Sequence, residues 1–444
     1  MKKICIFTTF SDIQKAYSLN IIVQYQLKML LLNGYQPTVI VQDSFKPEGF
    51  YAHPLVKIEK IPNVPCHNEV KKDETFDEDV LKIAKRLEEI LQDFDVCITH
   101  DIIYQNACLK HNMAARQVAK KLTKLKWLHW IHSATNPLML NQIRPIFADE
   151  YVNLVSTPFP NAKLVYPNAY AVPSVAKNFG VTPEDVRVVH HPTDICGFLG
   201  IQEDVERIIY ERNMLSVDAM TTYPCRLDRG KQVEFVIKTM AMLKDFNLSI
   251  RVVVVDFHST GGDKVTYRDQ LKQIAIDYGL NSDELIFTSE ENQAWYGECP
   301  QSVVRDFQLL SNVFILPSVS ETYSLVAQEA ALMKQVVVLN QDFPPFRSIY
   351  GDTPIYKKYS SAFDMLADPA EGMQVDSWTG TKYGDAKLPE EGRKEAEKAY
   401  HRGTAGQIAA RLKHPEMALS RFLMKNRNLQ AVFKKEMEPL FFED

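Results

Sequence analysis

The sequence predicts an α/β protein built from two α/β domains in tandem. Three observations carry that prediction. Short apolar runs alternate with amphipathic helical patterns along the whole chain. The alternation restarts once, with the change-over near Pro192 to Gln202. The chain has 444 residues, where roughly 100–200 per domain is usual.

The elements follow in order. Lys3 to Thr8 reads as a strand, and Ile13 to Asn33 as an amphipathic helix stopped by Asn33-Gly34. Thr38 to Val41, Val96 to Thr99, Trp127 to Ile131, Val152 to Val155 and Val186 to Val189 are further strand candidates. Helical patterns cover Glu78 to Gln92 and Gln105 to Leu125. After the restart, strands are expected at Ala219 to Thr222, Val252 to Val255, Leu285 to Thr288, Val313 to Leu316 and Val336 to Leu339. Helices are expected at Gln232 to Leu243, Tyr267 to Tyr278, Val303 to Leu310 and Ser324 to Met333. Such alternation predicts parallel sheets covered by helices on both faces. Lys357 to Gly392 reads as a long surface loop. Ala405 to Phe441 reads as helical, with a tail that docks on the body through Phe433, Leu440 and Phe441.

Composition narrows the function classes. Lys+Arg is 51 against Asp+Glu 56, a formal net charge of -5, which argues against a histone-like coat on nucleic acid. Hydrophobic residues at 45% and charged residues at 24% fit a soluble globular protein. Seven scattered cysteines with no C-x-x-C pair point to a reducing compartment and no structural zinc. The first residues, MKKICIFTTFSD, resemble a signal peptide only briefly, because the apolar run meets Ser11-Asp12 without a cleavage site. No apolar run is long enough to span a bilayer. A cytoplasmic protein is expected.

The segment richest in chemistry is Asn312 to Ala331, NVFILPSVSETYSLVAQEAA. It reads strand, loop, helix. A helix opening after a strand aims backbone N–H groups and a positive dipole end at a site where a pyrophosphate binds. Glu321 lies in the loop and Glu329 eight residues on, inside the helix. The stretch PSxSExYSLxxxEA resembles the donor-site signature of retaining glycosyltransferases of the GT-B fold, the group 1 or family 4-like enzymes. Thr221 to Gln232, TTYPCRLDRGKQ, supplies the Arg-x4-Lys spacing of the same family in Arg226 and Lys231. The resemblance is firm over Ala219 to Leu339 and weaker before it.

The resemblance implies two Rossmann-like domains facing a central cleft. Residues 1–197 would form the acceptor-side domain, 198–420 the nucleotide-sugar donor domain and 421–444 a docking helix and tail. It implies retaining transfer from a nucleotide-diphosphate sugar, with UDP the family-level expectation, to a hydroxyl acceptor. The front-face mechanism needs no metal and no cofactor; the UDP-sugar is the co-substrate. Arg226 and Lys231 would neutralise the leaving diphosphate, since cations there can grip its oxygens. Tyr323, Ser324 and Leu325 would line the donor site, Glu321 would hold the sugar hydroxyls and Glu329 the ribose. His132, at the end of the WLHWIHSAT strand, matches a histidine of the family's cleft and joins Glu321 as a catalytic candidate. Thr9, Ser11, His100 and Asp101 are acceptor-side candidates at strand ends.

Some features depart from the family pattern. The glycine pair after the first strand is replaced by Thr8, Thr9, Phe10 and Ser11. Asn-Gly-Val-Asp appears as His191-Pro192-Thr193-Asp194. The glycine-rich turn after Leu339 reads NQDFPPFRSIYG, where Pro344 and Pro345 have no N–H to donate. Asp93-Phe94-Asp95 has a D-x-D form but precedes a strand, and reads as a turn. His190-His191 lacks partners at zinc-ligand spacing.

The acceptor stays open between a glycan, a lipid-linked molecule, a small molecule and modified DNA. A phage-type enzyme acting on hydroxymethylated bases is one alternative. Lys110, Arg116, Lys120, Lys121, Lys124 and Lys126, followed by Trp127 and Trp130, could form a phosphate-binding strip, or touch anionic lipid at a membrane surface. A sugar-nucleotide epimerase of the same fold is the other alternative.

Overall fold

A computed structural model of the protein describes residues 2–14, 17–64, 73–132, 157–257, 264–318, 321, 323–358, 374–375, 382–383 and 390–443. The chain divides into two compact units, Met1–Asp194 with Arg427–Asp444, and Ile195–Asn426.

The first unit is built on a seven-stranded sheet. Its strands are β1 (Ile4–Phe7), β2 (Thr38–Gln42), β3 (Lys57–Ile61), β4 (Val96–His100), β5 (Lys126–Trp130), β6 (Ala162–Tyr166) and β7 (Val186–Val188). They lie in the order β3-β2-β1-β4-β5-β6-β7, every pair parallel. Side chains alternate across the sheet as the pleat requires. Cys5, Phe7, Ile40 and Cys97 pack with helices Phe76–Leu91 and Leu109–Lys121. Ile4, Ile6, Val39, Val41 and Ile98 pack on the other face with helix Ser18–Leu32. With both faces covered, β1, β2 and β4 are buried at every position, as parallel strands require.

Two of these strands escape a search for apolar runs. β3 reads KIEKI and holds the sheet edge, where charged residues blunt unwanted pairing. β6 has only Leu164, Val165 and Tyr166 as its apolar part, behind Lys163. The expected strand Val152 to Val155 lies outside the described residues.

Residues 429–441 complete the first unit's core. Leu429, Val432, Phe433, Met437, Leu440 and Phe441 are buried with Val23, Leu27, Leu30 and Tyr35. The Tyr35 ring meets Phe433 and Phe441 edge-on, each at 5.9 Å, and its hydroxyl donates to Glu438 Oε1 at 3.0 Å. Phe433→Ala is expected to destabilise the first unit by about 3–5 kcal/mol, the range for emptying a buried aromatic site. Urea unfolding followed by tryptophan fluorescence from Trp127 and Trp130 measures it.

The second unit repeats the plan. Its strands are β8 (Ala219–Arg226), β9 (Ile250–Phe257), β10 (Leu285–Phe287), β11 (Val313–Leu316), β12 (Val336–Asn340) and β13 (Ile355–Lys357). Their order is β10-β9-β8-β11-β12-β13, again all parallel. Of the stretch read as a surface loop, Lys357 closes β13, Gln374–Val375 pairs antiparallel with Lys382–Tyr383, and a helix runs over Glu390–Leu412. The remainder lies outside the described residues. Asp93-Phe94-Asp95 is a helix-to-strand turn, with the Asp95 carboxylate accepting from the Lys3 N–H at 2.7 Å. Both sheets reverse their winding once, between β1 and β4 and between β8 and β11. In open α/β sheets ligands bind beyond the carboxyl ends of strands at such a switch point.

Candidate functional site

The second unit's switch point carries a polar cluster. β11 is buried throughout and stops at Pro317, and Ser318 behind it is 1% exposed. On the neighbouring strand, β8 ends at Arg226 and a tight turn over Arg229–Lys231 follows. The Tyr223 hydroxyl donates to the Lys231 carbonyl at 2.9 Å and fixes that turn. Lys231 Nζ then reaches Glu321 Oε1 at 2.6 Å and Ser318 Oγ at 3.4 Å. Lys231 and Glu321 are each about one-fifth exposed, 20% and 19%. Arg226 is exposed beside them, with no ion-pair partner among the described residues.

Helix Leu325–Leu332 opens at the same place. Ser324 caps it, its hydroxyl oxygen accepting from the Ala327 N–H at 3.4 Å. Ala327 and Ala330 are buried against the sheet, so small side chains let the helix sit close. Tyr323 and Leu325 are exposed, and the Tyr323 hydroxyl accepts from Gln328 Nε2 at 2.9 Å. Glu329 is half-buried and accepts from Gln301 Nε2 at 3.4 Å. Arg226, Lys231, Glu321, Tyr323, Ser324, Leu325 and Glu329 thus all stand on the β8 and β11 connections or on the helix between β11 and β12. Arg347, in the turn after β12, pairs with Asp352 and covers the Tyr356 ring at 4.3 Å.

The first unit's switch point carries a second cluster. His100 ends β4 and is 3% exposed. Its Nδ1 lies 2.9 Å from His132 Nε2, and its Nε2 lies 2.9 Å from Gln26 Oε1. With the Gln26 carbonyl as acceptor, His100 donates from Nε2 and accepts at Nδ1 from the His132 Nε2–H. His132 Nδ1 is then a bare acceptor, buried and without a partner among the described residues. His191 stacks on His132 at 5.3 Å. Burial lowers His132 to about 4 and His100 well below the usual histidine range, so both are neutral at pH 7. Asp101 sits at φ 57° and accepts at Oδ1 from the His132 N–H at 2.9 Å and from the Tyr104 hydroxyl. Burial pushes the Asp101 carboxyl up to about 6 against those hydrogen bonds.

Thr9 and Ser11 follow β1 but do not join this cluster. Thr9 Oγ1 contacts Cys108 Sγ at 3.8 Å, and Ser11 is exposed, its hydroxyl donating to Asp12 Oδ1 at 3.4 Å. Gln26 and His191 are members that the sequence reading passed over. A glutamine on the buried face of an amphipathic helix was the available signal for Gln26. His190 turns away to Glu436 at 3.1 Å.

The basic strip dissolves in three dimensions. Lys110 pairs with Asp79 at 2.7 Å and Asp73 at 3.2 Å, and Lys121 pairs with Glu88. Arg116 donates to Asn112 Oδ1 and stands over the Phe159 ring at 4.6 Å. Lys126 donates to the Leu440 carbonyl at 3.4 Å. Trp127 and Trp130 are buried, at 0% and 2% exposure. Lys120 and Lys124 remain as exposed cations. The strip offers neither a continuous phosphate-binding face nor an aromatic platform.

Two units, each a parallel Rossmann-like sheet with polar residues gathered at its switch point, are the elements of the GT-B fold. Residues 216–358, within the second unit, match the family model described as glycosyl transferases, group 1. A relative, D-inositol 3-phosphate glycosyltransferase 1 of Catenulispora acidiphila, is 28% identical over 171 residues. The match covers 38% of this chain and 38% of that protein. Among solved structures, Anabaena HepE in complex with UDP-glucose is 12% identical with a TM-score of 0.31, over 100% of this chain and 98% of that one. The apo form of the lipopolysaccharide outer core galactosyltransferase WaaB is 13% identical with a TM-score of 0.35, over 100% and 99%. Those overlaps are low, and the fold assignment rests on the two strand orders. No described helix is long and apolar enough to cross a membrane.

Proposed function

We propose that the protein is a retaining glycosyltransferase. It takes a sugar from a nucleotide-diphosphate sugar, a UDP-sugar first of all, and gives it to a hydroxyl acceptor by a front-face route without a metal. The observation that carries this reading is the Lys231–Glu321 pair at the mouth of the capped helix Leu325–Leu332. The group 1 match over the same residues supports it.

In this mechanism the bond from the anomeric carbon to the diphosphate oxygen breaks first, leaving an oxocarbenium-like sugar. Arg226, Lys231 and the backbone N–H groups at the helix start stabilise the charge that develops on the diphosphate. The acceptor oxygen bonds the anomeric carbon on the same face, and its proton passes to the departing phosphate oxygen. Glu321, tethered by Lys231, accepts hydrogen bonds from the sugar hydroxyls. Glu329, steadied by Gln301, accepts from the ribose. In the first unit His100 and Asp101, with Thr9 and Ser11, serve the acceptor side, and His132 steadies the donor sugar in the transition state. Neutral His132 acts there by hydrogen bonding rather than as a cation.

Mass spectrometry of products from UDP-, GDP- and ADP-sugars with glycoside acceptors tests the reading, with proton NMR for the anomeric configuration. Transfer with retention is expected. Inversion would overturn the front-face route, and an altered donor with no acceptor product would make the protein an epimerase. Because the basic strip is mostly paired or buried, hydroxymethylated DNA is expected to gain no sugar in the same assay.

A further inference from the structure

We propose that Tyr350 is the positioning residue that holds the donor-binding turn in its working shape. The proposal rests on the glycosyltransferase reading above. Ser324 stands at φ 64° and ψ 86°, in the left-handed region that glycine enters freely and a residue with a Cβ does not. Such residues persist where their surroundings over-determine them. Here the Tyr350 hydroxyl lies 2.9 Å from the Ser324 carbonyl oxygen and 3.3 Å from that of Tyr323.

Those two carbonyls belong to the peptide units whose N–H groups are those of Leu325 and Ser324. In a trans peptide the C=O and the N–H point in opposite directions. Fixing the two oxygens therefore fixes two successive N–H groups on the opposite side. Successive N–H groups around a left-handed residue form an anion-binding concavity. A hydroxyl that never touches the donor thus aims the donors that would grip its phosphate.

Tyr350 is itself delivered by the turn after β12. Pro344 and Pro345 supply no N–H, but proline pre-forms a helix start, and helix Pro345–Tyr350 follows. Phe346 on that helix is fully buried and packs on the Tyr350 ring at 6.0 Å. The segment that lacks the family's glycine-rich turn serves instead as the mount for this clamp.

The experiment is a double-mutant cycle on the full chain with Tyr350→Phe, Ser324→Gly and both together. UDP binding is measured by titration calorimetry, and thermal unfolding without ligand on the same four proteins. Tyr350→Phe is expected to weaken UDP about fivefold, the worth of one hydrogen bond. In the S324G background the same change is expected to weaken it less than about twofold, because glycine needs no clamp to hold a positive φ. Likewise Tyr350→Phe should lower the midpoint of unfolding less in that background. Equal losses in both backgrounds, or no loss in either, overturn the proposal. A wild-type chain that binds none of UDP, GDP and ADP overturns the nucleotide reading instead, and the unfolding cycle still decides whether Tyr350 holds Ser324.

Discussion

Between pH 6.5 and pH 4 the first unit is expected to unfold, and well before the second. Three of its histidines, His100, His111 and His129, are buried in the neutral form, and His132 is part-buried beside them. Burial lowers His111 to about 4, with Lys110 adding to it, and His129 to about 3, with Arg116 adding to it. His132 stands at about 4 and His100 well below its usual range. In the unfolded chain each titrates at about 6.5. Their folded values are depressed, so their stabilising contribution is complete above about pH 6.5 and is lost as pH falls towards 4. Asp101, raised to about 6, works in the opposite sense, because the folded state binds its proton first as pH falls. His191, stacked on His132, is lowered to about 4 as well by burial and by its histidine neighbours, so the histidines outweigh the one carboxyl and stability falls as pH drops below about 6.5. A typical domain has about 5–15 kcal/mol in total. In the second unit the only described histidine with a depressed value is His401. Fluorescence of Trp127 and Trp130 against pH should therefore show a steep transition near pH 5, and His111→Phe should move it to lower pH. A first unit still folded at pH 4 would mean that these histidines are not held neutral.

Lys231→Ala is expected to lower kcat/KM for the donor about 10²–10³-fold, the loss seen when one group facing a developing charge is removed. Two effects combine. On the proposed mechanism the diphosphate loses a cation as it departs, and Glu321 loses the partner that holds its carboxylate at 2.6 Å. Lys231→Arg keeps the charge but replaces an ammonium by a planar fork, so partial activity is expected. The fold should survive, since the pair is partly exposed and its removal costs little stability. Steady-state kinetics on the three proteins, with unfolding midpoints as the control, make the measurement. Full activity in Lys231→Ala would remove that residue from the mechanism.

Much of this was legible in the sequence, for physical reasons. Buried parallel strands such as VVVV at 252–255 and VFIL at 313–316 have to be apolar on both faces, and so they stand out. Edge or partly charged strands do not, and so KIEKI and AKLVY were passed over. Helix Ser18–Leu32 begins five residues after the expected start at Ile13, because the apolar pattern runs on upstream of the first helical turn. The residues proposed for the donor side cluster along two connections, so spacing alone draws them together. The first unit's cluster is different. Gln26, His100, His132 and His191 come from four distant segments, and no local spacing records their meeting. Tyr350 was hidden for another reason: its role is to offset a backbone angle at Ser324 that no sequence states.

The packing of Leu429 to Phe441 into the first unit has a consequence for the order of events during synthesis. Helix Ser18–Leu32 is made early, yet the side chains that cover it are added more than 390 residues later. Throughout that interval the nascent chain carries an uncovered apolar face, the kind of surface that chaperones hold and that drives premature association. The second unit, Ile195–Asn426, has all its parts before residue 427 emerges. The unit translated second is therefore the one that can mature first, and the arrival of Leu429 to Phe441 acts as the fastener that closes the other.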